Sequence, residues 1–259
     1  MQVGADALRA VLWSTVEDST LLNINLPLDP TRPFMKALEE AVYATPLLLG
    51  DYAAVDIVVR TDAFITLPDE VNEANTLRAA EYCMVSTETD TTRTDSIPAL
   101  GTNVAWGLDS ECANFLARTF RNPRLHCHIS PLLRFFGRKT MLGNSGKVYA
   151  HFDGNGPLRH IDIIAFGPDG RLAAAVTHPA PADNDALYYI MATVRYAGLD
   201  AHTDEILLCG DASSREAMMP LLRRYAACVM PVIFPSAALR AGKEAFKAPF
   251  PLVILPLCE

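Results

Sequence analysis

The segment that most constrains the fold runs from Lys147 to His178. Three strand-length stretches, Lys147 to Asp153, His160 to Phe166 and Leu172 to His178, are separated by Asp153-Gly154-Asn155-Gly156 and by Pro168-Asp169-Gly170. Turns of this kind supply positive φ at low steric cost, so the three stretches are expected to pair as an antiparallel meander. A helix follows. Asp183 is its expected N-cap, Leu187, Ile190, Met191 and Val194 recur at helical spacing as a core stripe, and Gly198 provides the stop. Glu205 to Cys209 reads as a short strand ending in Gly210-Asp211. Ser213 and Glu216 then form the capping box of a helix whose buried face is Met218, Leu221, Leu222 and Tyr225. Val229 to Phe234 reads as a strand, Ala237 to Phe246 as a short helix, and Pro251 to Leu257 as the last strand.

The first half carries a looser version of this order. Ala7 to Val16 and Leu21 to Leu26 form a hairpin across Glu17-Asp18-Ser19, and Pro33 opens an amphipathic helix lasting to about Thr45. Val55 to Arg60 and Phe64 to Leu67 read as strands, and Asn72 to Cys83 as a helix. Ser86 to Ser96 has hardly an apolar residue and is expected to be an exposed loop or a β-turn-rich excursion. Val104 to Leu108 reads as a strand, and Asp109 or Ser110 caps a helix with Cys112, Phe115, Leu116 and Phe120 on its apolar face. Leu125 to Ile129 reads as another strand. The glycines between Gly137 and Gly146 mark the expected boundary between two lobes, residues 1–140 and 147–259.

Three meandering strands, then helix, strand, helix and strand, is the element order of an actin-like or ribonuclease-H-like lobe. The expected fold is therefore α/β and two-lobed, with mixed sheets flanked by helices. Composition agrees. At 259 residues with a formal charge of −8, the chain has a globular balance and is poorly suited to non-specific binding of nucleic acid. No apolar run approaches the roughly 20 residues that span a bilayer, and no secretory signal is read at the start. The six cysteines are scattered without close pairs, which favours reduced thiols and a cytoplasmic address.

In "RLAAAVTHPAPADNDALYYIMATVRYAGL", "EILLCGD", "LLRRYA" and, more weakly, "LLNINLPLD", the chain resembles an uncharacterised bacterial family, a domain of unknown function of about 260 residues. The resemblance is specific only between about Lys147 and Ala226. It implies an actin-like ATPase fold without an assigned activity, and a fold of this kind hosts many functions.

An actin-like ATPase holds phosphates with an acidic residue and a glycine turn in each lobe. In the second lobe the candidates are Asp153 and Gly154, with Gly210 and Asp211 where such folds contact adenosine. Each has a plain alternative, a hairpin turn at Asp153-Gly154 and a sharp strand-to-helix turn at Gly210. The first-lobe counterpart, Glu17-Asp18-Ser19-Thr20, lacks a glycine. Leu142 to Lys147 fails as a phosphate loop, because Met141 stands at the first glycine position and a strand follows. His126 and His128 share one face of a strand without a second ligand pair nearby, although His151, His160 and His178 lie at a distance, and no metal is expected. No nucleophile elbow occurs and no catalytic residue is assigned. Adjacent Tyr188 and Tyr189 point about 100° apart on a helix, so one ring is expected in the core and the other at its edge.

Two readings follow. One is a non-catalytic or degenerate actin-like protein that binds a partner protein or small ligand in the inter-lobe cleft. The other is a divergent ATPase or phosphotransferase that uses Asp153 and Asp211 with ATP and magnesium. Neither membrane nor nucleic acid is expected as a partner.

Overall fold

The computed structural model describes residues 1–14, 21–84, 90–140, 144–154, 156–239 and 242–258. It separates into two compact units, Met1–Leu132 with Ser236–Glu259, and Leu133–Pro235. The expected boundary therefore shifts. A helix runs through Gly137, and the C-terminal segment belongs with the first unit rather than with the second.

In chain order the first unit contributes β1 (Gln2–Val3), β2 (Ala7–Trp13), β3 (Leu21–Pro27), α1 (Phe34–Tyr43), β4 (Asp56–Val59), β5 (Phe64–Pro68) and α2 (Glu73–Cys83). There follow β6 (Asp90–Ile97), β7 (Thr102–Asp109), α3 (Ser110–Thr119), β8 (Arg124–Cys127) and α4 (Ile129–Thr140), whose later residues lie in the second unit. Its main sheet has the order β3-β2-β1-β4-β8, antiparallel as far as β1 and parallel from β1 to β8. Strand β1 escapes a reading by periodicity because two residues display no period. The turn between β2 and β3 lies outside the described residues.

The expected loop from Ser86 to Ser96 is overturned from Asp90 onward. Strand β6 pairs residue for residue with β7 in a three-stranded sheet of order β5-β7-β6. Its threonines suit a pleated surface, and one of its inward positions is polar but satisfied. Buried Asp95 accepts hydrogen bonds from Trp106 Nε1 (3.1 Å), the Cys127 backbone N–H (2.7 Å) and Ser130 Oγ (2.5 Å). Those three donors bind the small sheet to β8 and to the start of α4. A rule that scores apolar content sees none of this.

The second unit continues with β9 (Lys147–Asp153), β10 (His160–Phe166), β11 (Leu172–Pro179), α5 (Asp183–Tyr196), β12 (Glu205–Gly210), α6 (Ala212–Leu222) and β13 (Cys228–Pro231). Its sheet order is β11-β10-β9-β12-β13, the meander antiparallel and β12 and β13 parallel to β9. With strands numbered in chain order within each five-stranded sheet, both sheets read 3-2-1-4-5. On one face Val148, Ala150, Phe152, Ile163, Ala165, Ile206 and Leu208 pack against Ile190 and Val194 of α5 and Met218 and Leu222 of α6. On the other, Tyr149 stacks on Phe136 of α4 with ring centroids 4.0 Å apart, and burial pushes its phenol pKa well up.

The chain then returns to the first unit as α7 (Ser236–Leu239) and α8 (Phe250–Ile254). The expected last strand, Pro251 to Leu257, is thus helical. Every residue of α8 is buried, and an apolar run without a period cannot distinguish a buried strand from a buried helix. Pro249 and Pro251 at its start tip the balance. Leu252 and Leu255 pack with Val58, against Val11 of β2.

Replacing Asp95 by Ala strands one side-chain and one backbone donor in an apolar setting, and frees the Ser130 hydroxyl. Urea unfolding of Asp95→Ala should show a loss of about 3 kcal/mol or more. A change below about 1 kcal/mol would show that β6 is held by its ladder alone.

Candidate functional site

The four residues singled out for phosphate or nucleoside contact, Asp153, Gly154, Gly210 and Asp211, meet at one end of the second sheet. Strands β9 and β12 run parallel and finish side by side, with Gly210 paired to Phe152. Carboxyl ends of parallel strands are where α/β sheets gather ligands. Here the local contacts give most of these residues a structural task.

Gly210 has φ +89°, and a Cβ there would stand 2.1 Å from the Phe152 carbonyl oxygen. No other residue can make this crossing. The next N–H, from Asp211, donates to the same oxygen at 2.9 Å. Asp211 then caps α6, accepting from the Ser214 N–H (2.8 Å) and from Ser213 Oγ (2.6 Å). The expected cap at Ser213 with Glu216 is thus corrected to Asp211, two residues earlier. Burial raises the Asp211 pKa, but the bonds from Ser213 and Ser214 and the charge of Arg215 outweigh it and hold the carboxyl below its usual range. Ser214 Oγ reaches the Gly154 carbonyl at 3.4 Å, which joins the two turns. Gly154 itself has φ +78° and open space around it, so conformation rather than crowding selects glycine there. Asp153 closes β9 opposite His160. Asn155 lies outside the described residues, as do Glu17 to Thr20.

Two features beneath these turns escaped the sequence. Arg159 is only 4% exposed, with Nε donating to the Ala180 carbonyl and Nη1 to Asp183 Oδ1, both at 2.7 Å. Its Nη2 is buried without a hydrogen-bond partner among the described residues. Asp183 is accordingly the first residue of α5 rather than its N-cap, which is Ala182.

The second feature is a polar row through the sheet. His151, Asp162 and Thr177 are register partners on β9, β10 and β11. Asp162 lies 2.8 Å from His151 Nδ1 and accepts from Thr177 Oγ1 at 2.8 Å. Cys209 pairs with His151 across the parallel ladder. Burial, with the Asp162 charge adding and the charges of Arg215 and Lys139 opposing, pushes its thiol pKa well up. The alternation along "KVYAHFD" and "HIDIIAF" held the signal, since both polar residues fall on one face once the hairpin register is known.

The remaining histidines have local roles. His126 Nε2 lies 3.0 Å from Asp56, whose other oxygen accepts from Arg124 at 2.6 Å. His128 is buried edge-on to Phe64, and His178 stacks on Tyr189 with centroids 4.1 Å apart. Among the described residues, no three metal-ligating side chains gather. The Leu142 to Lys147 stretch is no phosphate loop in its described part. Gly146 N–H donates to Asp204 Oδ1 at 2.7 Å, and β9 starts at Lys147.

A third feature lies on the outer face of α5. A groove of about 790 Å³ is lined by Leu187, Tyr188, Met191, Arg195 and Tyr196 of that helix, with Asn184 and Ala192, and by Tyr225 beyond α6. Tyr188, Tyr196 and Tyr225 are 68%, 81% and 53% exposed. Of the Tyr188-Tyr189 pair, expected with one ring in the core and the other at its edge, Tyr189 packs partly buried against the core and Tyr188 lies further out, in solvent. Tyr225, expected in the buried face of α6, is instead at the surface.

The repeated 3-2-1-4-5 sheet order with crossing helices defines an actin-like fold, and comparison with solved structures agrees. The chain is similar to a Bacteroides thetaiotaomicron protein with an actin-like ATPase fold and unknown function, at 20% identity and TM-score 0.84, covering 100% of this chain and 94% of that one. It is also similar to a chain of the PilM-PilN type IV pilus biogenesis complex, at 14% identity and TM-score 0.61, covering 99% and 96%. Residues 1–229 match the model of a family described as a protein of unknown function, DUF3822, and the chain belongs to that family. No curated protein matches it. No helix among the described residues is long and apolar enough to cross a membrane.

If Asp211 is a structural cap, Asp211→Ala should cost about 1 kcal/mol at neutral pH and Asp211→Asn much less. A carboxyl with a depressed folded pKa stabilises above its unfolded pKa, and this contribution is lost as pH falls through the folded value. The gap between parent and Asp211→Ala should therefore close in acid. Equal stability at pH 7 would remove the cap assignment.

Proposed function

We propose that this chain is a non-hydrolysing actin-like protein that acts in the cytoplasm by binding a protein partner. The observation that carries this reading is the commitment of Gly210 and Asp211 to their own fold. A phosphate-binding turn needs backbone N–H groups free to face an anion, and an activating carboxylate needs open coordination. The Asp211 N–H is spent on Phe152, and its carboxylate on Ser213 and Ser214. Six free cysteines in a chain with well-formed cores fit a reducing compartment. The likeness to a chain solved within a PilM-PilN complex favours a protein as the partner, as does the exposed tyrosine groove.

The rival reading is a divergent ATPase or phosphotransferase. Its support is the convergence of Asp153 and Gly154 with Gly210 and Asp211 at the carboxyl ends of β9 and β12. Under it, Asp153 would hold magnesium through its waters and Gly154 would approach the phosphates of ATP.

Thermal unfolding separates the two. A ligand that binds only the folded state raises the melting temperature with its concentration. Millimolar ATP with magnesium should leave the midpoint unchanged and release no phosphate. A magnesium-dependent rise of several degrees, abolished in Asp153→Ala, would overturn the proposal in favour of the enzyme.

A further inference from the structure

The α5 groove has a chemistry that selects among protein partners. Its lining residues Asn184, Leu187, Tyr188, Met191, Arg195 and Tyr196 recur at three- and four-residue intervals, so they form one continuous stripe on α5. At about 1.5 Å per residue the stripe is about 18 Å long. Its apolar lining is Leu187, Met191 and Ala192, beside the rings of Tyr188, Tyr196 and Tyr225.

The polar groups lining the groove are three phenols, one carboxamide and one guanidinium. No carboxylate lines it, in a chain whose formal charge is −8. The groove therefore offers hydrogen-bond donors and one positive charge beside exposed aromatic faces. An amphipathic helix is a poor match, because its backbone carbonyls are already bonded internally and cannot use those donors. A second copy of this acidic chain would supply carboxylates for Arg195, and sedimentation tests for it below. A polyproline II segment supplies a run of free carbonyls. It has no internal hydrogen bonds, it exposes its carbonyls, and its rings stack on aromatic side chains at little entropic cost. At about 3.1 Å per residue, about six residues fill the groove.

We propose that the α5 groove binds a proline-rich, extended segment of a partner protein, with an acidic residue of that segment meeting Arg195. Tyrosine and arginine are the side chains that most often dominate such interfaces. This inference rests on the partner-binding reading above, and it names the partner's recognition element and the surface that receives it.

The test is an array of immobilised decapeptides. One set is proline-rich with Asp or Glu at varied positions, and the other is helix-forming with the same net charges. The parent protein should bind members of the first set and not the second. Fluorescence anisotropy with the best peptide should then show a loss of at least tenfold in Tyr188→Ala and in Arg195→Glu. Tyr82→Ala, at an 89% exposed tyrosine on α2, should bind as the parent does. Failure of every proline-rich peptide, preference for the helical set, or binding that survives both groove substitutions would overturn the inference. So would sedimentation showing a dimer that Tyr188→Ala dissolves. None of these results depends on nucleotide, so the groove can fail while the non-hydrolysing reading stands, and the converse is read from the ATP melting experiment.

Discussion

A backbone crossing holds the second unit together, the approach of Gly210 to Phe152. Any side chain at position 210 would collide with the Phe152 carbonyl, so strands β9 and β12 can lie in register to their ends only with glycine there. From that crossing the chain turns sharply, the Asp211 N–H takes the Phe152 oxygen, and the Asp211 carboxylate starts α6. Helix α6 then covers the sheet with Met218 and Leu222 beside α5. The Gly210-Asp211 turn thereby sets the helix packing.

Buried polar groups serve the two units in similar ways. Asp95 gathers donors from β7, β8 and α4 in the first, and Asp162 joins His151 and Thr177 across the meander in the second. Each carboxylate lies in an apolar setting where a missing partner would be costly, so each favours one register over its neighbours. Arg159 does related work by clamping the β9–β10 hairpin to the chain entering α5. These contacts specify the arrangement of strands that hydrophobic burial alone leaves free to slip.

Most of the second unit was legible in the sequence because its strands are long, its turns carry glycine and its helices have clear stripes. The first unit was harder to read for identifiable reasons. Strand β1 is two residues long, β6 is polar with its inward Asp95 satisfied by distant donors, and α8 is buried on every side. The duplicated sheet order is invisible at residue level because the two sheets share topology without sharing side chains. At the candidate site, residue identity was readable and role was not. Asp211 and Gly210 stood out, yet only the Phe152 contact and the bond from Ser214 distinguish a cap and a crossing from a ligand site. The groove's signal in the sequence is the recurrence of Tyr188, Ala192 and Tyr196 at intervals of four.

An actin-like topology and an actin-like activity are separable, since the first needs strand order and the second needs free amides at the strand ends. In this chain Gly210 and Asp211 are tied into the fold, while the outer face of α5 presents exposed tyrosine rings. The most direct test is a titration of isotope-labelled protein with magnesium-ATP, followed through the amide resonances of Gly154, Gly210 and Asp211. The account predicts that these resonances stay in place up to millimolar nucleotide, whereas saturable shifts confined to these amides would contradict it.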